Sequence, residues 1–113
     1  MKLKIVIMTL GILLMGALTI AQQTGSEKMD LDGGGRGKVP FPHRSHQDVL
    51  GDCTLCHSMF EKQPGIINKM KSDGELKKKQ IMNVLCIKCH KAEKEKGNPA
   101  GPTTCSKCHV REG

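Results

Sequence analysis

Apolar residues fall along this chain in one long block and several short ones. The block runs from Ile5 to Ile20, almost wholly apolar and preceded by Lys2 and Lys4. Beyond it the pattern thins. Met29–Leu31 and Lys38–Phe41 flank the run Gly33-Gly34-Gly35-Arg36-Gly37, which predicts a small hairpin closed by a tight β-turn. The plainer alternative is a flexible polar leader over residues 22–37. Pro40 and Pro42 hold the next stretch extended. If a helix then begins, His43 and His46, three apart, share one of its faces. Pro64-Gly65 marks a turn. Ser72-Asp73-Gly74-Glu75 resembles a capping box, and Leu76, Gln80, Ile81, Val84 and Leu85 then form one broad helical face up to Cys86. Lys77, Lys78 and Lys79 form a solvated flank. Residues 90–96 predict a short charged helix, ended by Gly97-Asn98-Pro99, and Gly101-Pro102 turns the chain again.

The apolar block reads as a targeting segment. It has a positive start, and Thr19-Ile20-Ala21 puts small residues at a cleavage site. Residues 1–21 are the expected signal peptide, with Gln22 the first mature residue. The alternative of a retained anchor meets the shortness of the run, since a spanning helix needs about 20 apolar residues. No cysteine stands beside the cleavage site to carry a lipid. The organisation expected is a signal peptide (1–21), a glycine-rich leader forming part of the hairpin (22–37) and one small domain (38–113).

That domain is poor in ordinary core material. Phe41 and Phe60 are its aromatic residues, and the chain has neither Trp nor Tyr. Chains this short need staples or cofactors. The sequence supplies an anchor for one. All six cysteines lie in three copies of C-x-x-C-H: Cys53-Thr54-Leu55-Cys56-His57, Cys86-Ile87-Lys88-Cys89-His90 and Cys105-Ser106-Lys107-Cys108-His109. The pattern reads as c-type haem attachment, with Cys53, Cys56, Cys86, Cys89, Cys105 and Cys108 forming thioethers and His57, His90 and His109 binding iron. Three haems would then supply the apolar core, and the apo-protein is expected to be largely unfolded. A zinc module built from C-x-x-C pairs and a disulfide-bonded exported domain are the alternatives. Zinc ribbons are normally cytosolic, whereas this chain carries an export signal, and disulfide scaffolds do not need a histidine after every second cysteine.

Charge changes with this reading. The chain has 18 basic and 11 acidic residues, for +7. Without Lys2 and Lys4 the balance is 16 against 11, or +5, and three ferric haems with ionised propionates bring it to about +2. Lysine is thus better placed to neutralise propionates and steer acidic redox partners than to bind nucleic acid.

The histidine count is informative. Electron-transfer haems usually have two protein ligands on iron. Beyond the motifs only His43 and His46 remain, so two haems can be bis-histidine and the third cannot. Met59, Met70 or Met82, a lysine, water or an open position are the candidates for the last ligand.

On these residues the chain resembles the triheme cytochrome c7 family, relatives of cytochrome c3. The resemblance covers roughly residues 29–110 and is most specific at Val39-Pro40-Phe41-Pro42-His43-Arg44-Ser45-His46 with the first C-x-x-C-H. It implies short helices and an N-terminal two-stranded hairpin around a haem core, with little other regular structure. It implies three haem c groups, His43 opposite His57, and His46 opposite His90. It places Met82 where the family puts a further histidine, opposite His109, with Lys79 and Met70 as lesser candidates. The implied role is a periplasmic electron carrier in anaerobic respiration. Its partners would be other cytochromes or membrane donors and acceptors, with no stable membrane insertion after signal cleavage. The enzyme alternative is a peroxidase or reductase using an open third haem.

Overall fold

The computed structural model describes residues 25–112. The apolar block and the expected cleavage site lie outside the described residues, among which no helix is long and apolar enough to cross a membrane.

Two strands, β1 (Met29–Leu31) and β2 (Val39–Phe41), pair antiparallel with Met29 opposite Phe41 and Leu31 opposite Val39. The expected hairpin is there, but its connection is wider than a tight β-turn. Asp32 Oδ1 accepts from the Gly34 N–H, and a 3₁₀ turn over Gly34–Arg36 follows, closed by Gly37 N–H to the Gly34 carbonyl. Lys38 is left outside β2 and instead bridges to Val110 near the other end of the chain.

Helix α1 (His43–Leu50) starts directly after Pro42 and stops at Gly51, whose left-handed φ of 66° suits glycine. α2 (Thr54–His57) is a single turn, and α3 (Ile66–Ser72) follows the Pro64-Gly65 turn. The capping-box reading of 72–75 is overturned. Ser72 Oγ–H donates backwards to the Lys69 carbonyl, and the N–H groups of Glu75 and Leu76 both donate to Met70. With Gly74 at φ 77°, these residues terminate α3 rather than start a helix.

The next helical stretch opens at Gln80, whose Oε1 accepts from the Lys77 N–H. It includes a π turn over Met82–Cys86, closed by the Ile87 N–H on the Met82 carbonyl, and continues as α4 (Ile87–Glu95). The broad apolar face expected over 76–85 is therefore broken. Leu76 lies ahead of the helix, and the extra residue in the π turn shifts the register of the positions that follow. Gly97, at φ 81°, follows the end of α4. α5 (Cys105–Cys108) is again one turn.

Leu76, at 6% exposure, is the one buried apolar residue among the described residues. The protein's side chains thus supply little buried apolar surface of their own.

Candidate functional site

At the first motif, Asp52 Oδ1 accepts from both the N–H and the hydroxyl of Thr54, which launches α2. These bonds hold the Asp52 carboxyl below its ordinary pKa. His57, at the end of α2, donates Nδ1–H to the Phe60 carbonyl at 3.2 Å. Facing it is His43, whose Nδ1–H goes to Ser26 at 2.8 Å, while Arg44 N–H ties the same helix start to Glu27. The two rings stand edge-on, with centroids 6.3 Å apart.

One helical turn along α1, His46 donates Nδ1–H to the Pro42 carbonyl at 2.9 Å. It faces His90 of the second motif, with ring centroids 6.2 Å apart and planes inclined by 27°. His90 donates its Nδ1–H to Pro102 at 2.7 Å. Phe41 packs against His46 at 4.4 Å and Phe60 against His57 at 5.3 Å. Both phenylalanines thus brace histidines.

At the third motif, the Val110 N–H donates to the Lys38 carbonyl and His109 Nδ1–H to Gly37 at 2.9 Å. His109 Nε2 lies 3.4 Å from Met82 Sδ. An open cavity of about 450 Å³ adjoins this site, lined by Arg36, Cys105, Ser106, His109 and Arg111.

A carbonyl oxygen only accepts, so each of these five Nδ1 atoms carries the proton, and in the neutral ring Nε2 is left as a bare lone pair. In each ring Nε2 is thereby the atom left free to bind a metal. With metal–nitrogen bonds of about 2 Å and ring centroids about 1.1 Å further out, two imidazoles on one metal stand about 6 Å apart. The observed 6.3 and 6.2 Å fit that spacing. The six thiols are unpaired, so both cysteines of every motif are chemically available for thioethers. Burial first, then the thiols of Cys89 and Cys53, raises the pKa of Cys56. The thiol of Cys86 is raised likewise by its own burial, although the residue as a whole is exposed, and then by Cys56. With Cys108 raising the Cys86 thiol to a lesser degree, the three motifs lie close together. Among the described residues no three His, Cys, Asp or Glu side chains converge as a tetrahedral zinc site requires. The residues fit haem.

Sequence reasoning missed the glycines that make room for these rings. A Cβ on Gly33 would lie 1.8 Å from the Gly37 carbonyl oxygen and 2.3 Å from His109 Nδ1, and one on Gly101 would lie 2.6 Å from His90 Cε1. The glycine run was legible as a turn, but nothing local tied it to a histidine 72 positions away. Gly33→Ala should lower the stability of the haem-loaded protein by about 1–3 kcal/mol, the usual cost of overpacking. Gly35→Ala, where a Cβ meets nothing within 4 Å, should be near neutral. Denaturant midpoints of the two variants test the contrast.

Residues 39–110 match the family model described as cytochrome c7 and related cytochrome c. A cytochrome c7 of Geobacter metallireducens is 40% identical over 75 residues, covering 66% of this chain and 67% of the relative. Among solved structures, the triheme cytochrome PpcA of Geobacter sulfurreducens is similar with a TM-score of 0.53 at 31% identity, over 76% of this chain and 100% of that one. PpcC, a cytochrome c7 of the same organism, gives 0.52 at 32% identity, over 77% and 100%.

Proposed function

Because the chain belongs to the cytochrome c7 family, we propose that it is exported to the periplasm and shuttles electrons between redox partners in anaerobic respiration. As a member of that family it is a multihaem electron-transfer protein, an electron carrier rather than an enzyme, and it binds three c-type haems. In this reading the two cysteines of each motif hold one haem by thioethers. His57, His90 and His109 are the proximal ligands, and His43 and His46 are the ligands opposite His57 and His90. Haem c supplies a one-electron couple at iron, with a potential that follows its axial ligands and surroundings.

The observation that carries the ligand assignment is the shared orientation of the histidines. All five direct Nδ1–H to a backbone carbonyl, and two pairs stand at the separation of ligands on one metal. Two helical stretches join the sites. His43 and His46 are one turn apart on α1, so the first and second irons share a support. Met82 and His90, at about 1.5 Å rise per residue, lie roughly 12 Å apart on another and connect the third site to the second. Such spacing favours transfer between neighbours. Lys77, Lys78, Lys79, Lys88, Lys91, Lys94 and Lys107 are exposed and would steer an acidic redox protein towards the molecule. Export is supported by the apolar block after Lys2 and Lys4 and by the need for free thiols on the far side of the membrane.

Intact mass of the exported protein tests attachment and processing together. The expected mass is that of a chain starting at Gln22 with three haems. Fewer haems, or a retained segment 1–21, would contradict the corresponding part of the proposal.

A further inference from the structure

The third site differs from the other two in both its ligand atoms and its surroundings. The chain has five histidines. Four stand in the two facing pairs, and His109 is left facing a thioether. With its Nδ1–H held by Gly37, the neutral His109 ring has no proton on Nε2 to offer Met82. The 3.4 Å contact therefore sets two lone pairs against one another. Such a contact is favourable when a Lewis acid lies between them, and nitrogen and thioether sulfur are both known haem ligands. The separation is about 1 Å short of two metal–ligand bonds end to end. Three rotatable bonds let the Met82 side chain open that gap, whereas its backbone is fixed by the Ile87 N–H across the π turn. Among the described residues, Met59 and Met70 make no comparable sulfur contact with a histidine.

We infer that the third haem lies between His109 and Met82 and has the highest reduction potential of the three. This rests on the three-haem reading above. Methionine in place of a second histidine favours ferrous iron. The Arg36 and Arg111 side chains lining the adjoining cavity act in the same direction, because nearby cations favour the less positive oxidation state. Ligand and surroundings together make this site the preferred resting place of the first electron taken up. The third haem is thus set apart thermodynamically from the bis-histidine pair.

The test uses the haem-loaded protein, with haem content confirmed by mass before any other measurement. Fewer than three haems would overturn the underlying reading, whereas the following outcomes bear on Met82 alone. In the reduced wild type, proton NMR should show one strongly upfield methionine methyl signal, and one haem should reduce ahead of the other two. Met82→His should remove the signal and move that haem down towards the others. Met82→Ala should convert a protein that binds no carbon monoxide into one that binds it at one haem, while Met70→Leu should retain the wild-type signal and order. Carbon monoxide binding by untreated wild type, or absence of the methyl signal, would overturn the inference. The wild-type measurements decide the matter even if Met82→Ala does not fold.

Discussion

A chain whose second motif is disarmed by Cys86→Ala and Cys89→Ala should lose its cooperative unfolding transition, or the greater part of it. The expectation follows from what the polypeptide lacks. Among the described residues only Leu76 is buried. The strands have three residues each, and a lone two-stranded hairpin is at best marginal in water. α2 and α5 have four residues each, and isolated helices below about 12 residues are marginal. The second motif also joins the π turn to α4, so its haem would touch the longest helical stretch. Val49→Ser, at a side chain already 81% exposed, should stay within about 0.5 kcal/mol of wild type. Denaturation followed by far-UV circular dichroism measures both. A variant without the second haem that unfolds as sharply as wild type would refute the view that the haems form the core.

Removing either histidine of α1 should open one haem and leave the others closed. His43→Ala should expose the iron opposite His57, and His46→Ala the iron opposite His90. Each variant should gain high-spin character and bind carbon monoxide at one haem. Losing a histidine ligand should also raise the potential of that haem, because electron donation to ferric iron falls. The two effects should be distinguishable. His46→Ala removes a ring packed against Phe41 at 4.4 Å between centroids, whereas His43 lies 6.0 Å from it. The hairpin end should therefore be more disturbed in the His46 variant. Visible spectra and carbon monoxide titration read the ligand loss, and unchanged spectra in both variants would remove the assignment.

The sequence made the architecture legible where residues act locally. Pro40 and Pro42 announced an extended entry, a helix does begin at His43, and the apolar runs around the glycines do pair. The three motifs supplied the cofactor, and the family comparisons agree on three c-type haems. Local reasoning failed where two signals overlapped. Ser72 and Glu75 match a helix-start pattern, but Gly74 between them permits the left-handed turn that ends α3. The π turn was invisible for another reason. It keeps helical composition while changing the number of residues per turn, so the face read from Leu76 to Leu85 lost its period. The glycines beside His90 and His109 needed tertiary knowledge, since their constraint comes from rings brought in by distant chain. A deficit of one histidine was countable in the sequence. The family resemblance already set Met82 opposite His109, and the 3.4 Å contact between them is what the structure adds.

The bond from His109 to the Gly37 carbonyl bears on the order in which the molecule is built. It joins residues 72 positions apart, whereas His43 and His57, which also face one another, are only 14 positions apart. Loop-closure entropy grows with the logarithm of length, which makes the third enclosure about 1.5 kcal/mol harder to close than the first. The same carbonyl-bearing segment cannot take its place until the chain beyond Cys108 is available. Maturation is thus biased from the N-terminal motif towards the C-terminal one, with the last enclosure completed when the two ends of the domain meet at Lys38 and Val110.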